Sequence, residues 1–433
     1  MTNSHVPFFR PSVSERDIAE VIATLRSGWL TTGPRVKRFE EEFAKSVEAP
    51  YAVAVNSCTA ALHLAVEALN LKPGEGVLVP TMTFAATAEI VRYQGAMPVL
   101  VDCDPVTGNM DLADAERKIT GLKTAKHLGD ERHGLRVAGM IPVHVGGLMM
   151  NMSAVHQFAA NNGLWIVEDA AHAFPAAWRS ARDEPWQRCG GITANAACFS
   201  FYANKTITTG EGGMVVTQDG ALAQRIRLMS LHGLSHDAWG RYESAGSWDY
   251  RILAPGYKYN LTDVAAAMGI HQLDRAEELR LERERIAHLY LNALAGVEEI
   301  ELPPVDANRI HSWHLFPIRL QLDHLSIARD QFMEELRQAG VGCSVHWRPL
   351  HLHPYHQETF GWKAKDFPVA TSLWQRLISL PIFPSMTQRE IEQVIDAVKD
   401  TCARYIRRGQ TRPGTKTSKS KGPDANYVSH LSQ

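Results

Sequence analysis

The chain has 433 residues, of which 45% are hydrophobic, and its 45 Lys and Arg nearly balance 47 Asp and Glu. A length beyond the roughly 250–300 residues at which single cores stop growing implies two domains with appendages. Near-neutral balance excludes the overall field that draws in nucleic acid or an anionic membrane, so the ligand is small and recognised locally.

The opening stretch MTNSHVPFFRPSVSERD has no apolar run between a basic start and a small-residue cleavage site, and no apolar run in the chain reaches the ~18 residues a membrane span needs. Residues 1–30 read as an N-terminal arm of a soluble, cytoplasmic protein. From about 52 to 217, short β-branched runs alternate with longer helical patterns, the signature of βαβ units feeding a mostly parallel sheet. Seven strands are predicted, at 52–55, 77–80, 98–102, 138–144, 164–168, 196–201 and 213–217, with helices such as 57–70 and 152–162 as crossovers.

Segment 262–295 has sustained helical periodicity and predicts one or two long helices. Beyond it, strands at 314–321 and 341–346 and helices at 325–339 and 388–404 predict a smaller α+β unit. The expected organisation is a large α/β domain over 1–280, a small domain over 281–406 and a flexible tail over 407–433, where Gly, Pro, Ser, Thr and Lys leave too little apolar surface to offset ordering. The six scattered cysteines include no CxxC pair, which predicts reduced thiols.

Four segments carry chemistry. In Ser200-Phe-Tyr-Ala-Asn-Lys205-Thr-Ile-Thr-Thr-Gly-Glu-Gly-Gly-Met214, a lysine follows a strand into a polar, glycine-rich turn, past the carboxyl edge where α/β sheets bind ligands. Desolvation there lowers a lysine's pKa and makes it nucleophilic toward an aldehyde or ketone, although a lone lysine in such a turn is far more often a solvated loop residue. The run Leu164-Trp-Ile-Val-Glu-Asp169-Ala-Ala-His172 ends an apolar strand in an acidic pair. A carboxylate at that mouth suits the protonated ring nitrogen of pyridoxal phosphate (PLP), or else caps a helix. Val53-Ala-Val-Asn-Ser57-Cys58-Thr59 leads from a strand into a helix start whose N–H groups and dipole make an anion site, with Cys58 and Thr59 as phosphate candidates, although taken alone such a segment is more often a capped helix that binds nothing. Phe84, in Pro80-Thr-Met-Thr-Phe84, can lie flat on a cofactor ring or pack in a core.

In this order, and with GWLTTGPRVKRFEEEFA (28–44), GMIPVHVGG (139–147), LMSLHGLSHDAW (228–239) and PGYKYNLTDVAAAMG (255–269), these segments resemble the DegT/DnrJ/EryC1/StrS sugar aminotransferases, over about residues 8–400. The likeness implies the type I fold of PLP-dependent transferases. It is greatest to the branch that aminates C4 of a nucleotide-linked 4-keto sugar, including the 4-amino-4-deoxy-L-arabinose enzymes of lipid A modification. By resemblance, Lys205 holds PLP as a Schiff base and shuttles the proton. Asp169 pairs with the ring nitrogen, and His172 lies near the ring oxygen or ring face. Ser200, Cys58 and Thr59 bind the phosphate, and Phe84 stacks on the ring. Asn260 reaches the phosphate from the neighbouring subunit of a homodimer.

The implied donor is L-glutamate and the implied acceptor a nucleotide-linked keto sugar, with Arg241, Arg251 and Lys258 as candidate ligands of its diphosphate. Two stretches, 120–137 and 180–190, depart from the family pattern and are candidate specificity loops. A related branch carries histidine in place of the lysine and removes a hydroxyl; lysine at 205 argues against that dehydratase chemistry. A desulfurase of the same fold needs a mobile nucleophilic cysteine, and Cys189 is the one candidate. A non-catalytic binding protein calls for a disabled lysine or an added effector domain, and the sequence has neither.

Overall fold

The computed structural model describes residues 5–124, 134–191, 195–235 and 250–407. Arg241, residues 125–133 of the first candidate specificity loop and residues 408–433 of the predicted tail lie outside them.

In chain order the strands are β1 (Tyr51–Val55), β2 (Gly76–Pro80), β3 (Met97–Val101), β4 (Val137–Met140), β5 (Trp165–Asp169), two short strands β6 (Ala177–Trp178) and β7 (Gln187–Arg188), β8 (Ala196–Ser200), β9 (Gly213–Thr217), β10 (Ile300–Glu301), β11 (Arg309–Ile310), β12 (Phe316–Leu320) and β13 (Leu377–Leu380). The main sheet runs β1-β9-β8-β5-β4-β2-β3. Its pairings are parallel except those of β9, which runs against β1 and β8. Every residue of β2 and β9 is buried, as expected for a sheet covered on both faces. The fold class is the α/β type expected, with all seven predicted strands in place.

Three predicted elements differ from expectation. The strand expected over 138–144 stops at Met140, because Pro142 has no N–H for the ladder; its carbonyl instead accepts from the Asp169 N–H at 2.8 Å. The strand expected at 341–346 does not form: Val341 and Ser344 make single bridges to Val6 and Ser379, and the small sheet is β10-β12-β13. The helix expected at 325–339 covers Arg329–Gln338, since Leu325 bridges Ile406 and Ala328 is extended. Segment 262–295 is two helices, Asp263–Leu273 and Ala276–Leu294.

The second of these helices carries two cores. Ala276 and Leu279 pack with the large sheet, while Ile286, Ala287, Tyr290 and Leu294 pack with β12, β13 and the C-terminal helix. Within 281–406, however, Leu350, Phe367, Ala370 and Leu373 belong to the core against the large sheet, and Val6 of the arm packs into the small-sheet core.

Candidate active site

The carboxyl ends of β1, β2, β5 and β8 open into one cleft of about 470 Å³, the position where open α/β sheets take their ligands. Cys58, Thr59, Phe84, Asp169, His172, Ser200 and Lys205 all line it.

At the end of β1, extended Ser57 caps the helix Cys58–Ala68 and accepts from Ala60 N–H at 3.1 Å. The N–H groups of Cys58 and Thr59 open that helix and have no acceptor among the described residues. Gly213 makes the cradle: a Cβ there would stand 2.5 Å from the Ser57 carbonyl and 2.7 Å from the Cys58 nitrogen. Antiparallel β9 thus presses its first residue against the turn only because that residue has no side chain. The Cys58 thiol turns away, toward the Cys198 carbonyl at 3.6 Å, and burial pushes its pKa well up, so it is a packed thiol.

Asp169 ends β5 and is 5% exposed. It accepts from Thr87 Oγ1 at 2.8 Å and Ala171 N–H at 3.2 Å, and Thr83 bonds Thr87 at 2.7 Å. Burial raises its pKa; the Thr87 and Ala171 bonds and the Lys205 charge pull the other way. It has no salt-bridge partner among the described residues, so this carboxylate lacks a contacting cation.

Lys205 lies past β8, with burial lowering its pKa to about 8 against the opposing pull of Cys58 and Asp169. Its Nζ meets His314 Nε2 at 3.4 Å. Ser200 accepts from Tyr202 N–H through its hydroxyl, and Phe84 stands at the mouth, 61% exposed. His172 accepts from Gly146 N–H through Nδ1 at 3.3 Å, which leaves the proton of the neutral ring on Nε2. Burial, then the Lys205 charge, holds its pKa well below the usual range.

The residues present fit PLP on this chemistry: a glycine-made cradle of free N–H groups for the phosphate, a buried carboxylate for the ring nitrogen, and a buried amine of lowered pKa for the aldehyde.

Sequence reasoning missed one wall. His346 and Trp347 line the cleft, Trp347 stacks on His172 with ring centroids 5.1 Å apart, and His314 lies 4.2 Å from the same ring. Short β11 pairs with β6, and Gly147, with φ of 99°, leaves room for Ser312, whose Oγ donates to the His172 carbonyl at 2.6 Å. Leu350 N–H donates to the Thr81 carbonyl at 2.8 Å, fixing the other segment to the end of β2. Thr83 and Thr87 were missed too, though Thr83 directly precedes Phe84 and Thr87 follows it by three residues.

Asn260 does not line the cleft of its own chain; it donates to Thr32 Oγ1 at 2.7 Å and accepts from Lys258 at 2.5 Å. Arg251 is exposed, with its main chain paired to Ser235. Cys189, in a turn just past β7, is 2% exposed, and burial raises its pKa well above normal, which argues against it as the desulfurase nucleophile. It lies beside His144 and Glu168, ligand atoms within 4.8 Å of one another. Both His144 nitrogens are already used there, by Glu168 at 2.8 Å and Met150 N–H at 3.3 Å.

The profile of the DegT/DnrJ/EryC1/StrS aminotransferase family matches residues 11–399. An uncharacterized protein of Methanocaldococcus jannaschii is 43% identical over 396 residues, 92% of this chain and 97% of that one. The spore coat polysaccharide biosynthesis protein SpsC of Bacillus subtilis is 41% identical over 399 residues, again 92% and 97% of the two chains. Among solved structures, a putative sugar aminotransferase of Streptococcus pneumoniae in its PLP form superposes with a TM-score of 0.81 at 30% identity, covering 92% of this chain and 99% of that one. Matched over residues 11–399 and similar in fold to a solved sugar aminotransferase, the chain belongs to the DegT/DnrJ/EryC1/StrS family of PLP-dependent sugar aminotransferases.

Proposed function

We propose that this chain moves the amino group of L-glutamate to a nucleotide-linked keto sugar, at C4 of a 4-keto sugar, as in the 4-amino-4-deoxy-L-arabinose branch. One observation carries the reading: a buried lysine with pKa near 8, a buried carboxylate without a contacting cation and a helix start with free N–H groups share one cleft.

Bound PLP supplies an electron sink for the carbon that exchanges its amino group. Lys205 would hold the cofactor through its aldehyde, whose oxygen leaves as water, and the amine, once free, would carry the proton at the reacting carbon. Asp169 keeps the ring nitrogen protonated, and Thr87 holds that carboxylate in place. The Cys58 and Thr59 N–H groups and the Ser200 hydroxyl bind the phosphate. His172 would orient the ring, and Phe84, at the mouth, would stack on it.

Asn260 serves the phosphate of a second copy in a homodimer, a role supported by its position outside its own cleft. Arg251 and Lys258 are the described cations assigned to the sugar's diphosphate.

The test is borohydride reduction of the purified protein with peptide mapping, then addition of L-glutamate to an unreduced sample. A pyridoxyl group on Lys205 and loss of the visible band with glutamate are expected, followed by amination of a 4-keto sugar nucleotide. An intact band with glutamate overturns the donor, and a product aminated at C3 overturns the position.

A further inference from the structure

We propose that His314 is a positioning residue for Lys205: its Nε2 accepts a hydrogen bond from the free lysine amine and so aims the amine's lone pair at the substrate carbon. The inference rests on the assignment of Lys205 made above.

A neutral amine has two N–H groups and one lone pair. Were His314 to donate to Nζ, the lone pair would be spent and the lysine could take no proton. The productive arrangement therefore makes Nε2 the acceptor and puts the ring proton on Nδ1. The 3.4 Å contact between Nζ and Nε2 is long for a hydrogen bond, as contacts in unliganded active sites often are. A small cavity of about 10 Å³, bounded by Lys205, His314, His172 and Ser200, gives Nζ room to withdraw toward the imidazole.

His314 is 5% exposed, and its Nδ1 has no partner among the described residues. Burial of an unpaired polar atom is costly, and such exceptions call for a reason. Its backbone is fixed from both sides. Trp313 sits at φ of 49°, a conformation unfavourable for a bulky residue. The Arg283 guanidinium donates to the Trp313 carbonyl at 3.5 Å and to the Ile382 carbonyl at 2.7 Å, while Leu315 N–H donates to the Gly146 carbonyl at 3.1 Å. The titratable groups bearing on the pair are Asp169, Cys58, His172, His346 and Arg283. Burial and the surrounding positive charges keep His314 neutral, hence able to accept.

Two measurements test this. In cofactor-free protein labelled with ¹⁵N-histidine, NMR between pH 7 and 9 should find His314 Nε2 unprotonated and shifting as Lys205 titrates; a proton on Nε2 overturns the proposal. In the holoenzyme, His314→Gln keeps an acceptor and should retain kcat within ~3-fold, whereas His314→Phe fills the space without one and should lose ~10²-fold in kcat at nearly constant KM. The acid limb of the His314→Phe profile should move to lower pH, because the lysine ammonium has lost its acceptor. Equal losses in both variants, or an unmoved limb, overturn the proposal. If His314→Phe does not fold, the NMR result and His314→Gln decide. Absence of a pyridoxyl group on wild-type Lys205 would count against the lysine assignment alone, since the NMR reads the bond without cofactor.

Discussion

The cleft is built from two regions that do different work. Its floor is the carboxyl edge of the large sheet, where Ser57, Asp169, Ser200 and Lys205 stand at or just past strand ends within one continuous backbone ladder. Its wall comes from residues 312–315 and 346–347, far along the chain and attached through a two-residue strand pair and a few hydrogen bonds. The floor holds the groups that bond or charge-pair with a cofactor. The wall contributes neutral imidazoles and an indole, which set shape, dryness and the orientation of the floor's side chains. The reacting groups thus stand at or just past strand ends, and a wall built from distant segments positions them.

That division can be broken from either side. The largest effect is expected from the floor: Lys205→Ala should lose about 10⁴-fold or more in kcat and all borohydride-fixed pyridoxyl, and retention of either would contradict the division. Asp169→Ala should lower kcat by ~10²–10³-fold with PLP still bound, and normal turnover would remove its assigned role. A pH series sharpens the floor further. With the Lys205 pKa lowered to about 8 from 10.5, the amine is mostly protonated at pH 7 and mostly free at pH 9. Capture of PLP by cofactor-free protein should accelerate ~10-fold over that interval, with a midpoint near 8 in stopped-flow absorbance; a midpoint near 10.5 would mean the lysine is solvated. The smallest effect belongs to Trp347, the indole of the wall. Trp347→Ala removes the ring stacked on His172 and should raise KM for the sugar ~3–10-fold while kcat falls less. A loss as large as that of Asp169→Ala would show that Trp347 does more than stack on His172.

Much of the floor was legible because its signals are local. A strand, a turn and a helix start are contiguous in sequence, so Ser57-Cys58-Thr59 could be read as an anion site, and Asp169 and Lys205 as strand-end residues, without knowing what lay opposite. The wall was not legible for the same reason. His314 was read only as the first residue of a strand, His346 only as the last residue of another, and the latter strand did not form, since Val341 and Ser344 each make a single bridge. Cys189 was read as a candidate mobile cysteine; it does lie in a turn just past β7, but that turn buries it against the main sheet.

By itself, then, the sequence determined the alternation of strands and helices, the side of the sheet on which a ligand sits, and the lysine, carboxylate and helix start that meet there. These follow from periodicity and from the local geometry of strand ends, which neighbouring residues dictate. Only the tertiary structure decided that Gly213 lets β9 close the phosphate cradle, that Asp169 lacks a contacting cation, and that His314 touches Lys205 across a separation of 109 residues. Those are contacts between segments whose distance in sequence carries no signal, and packing alone selects them.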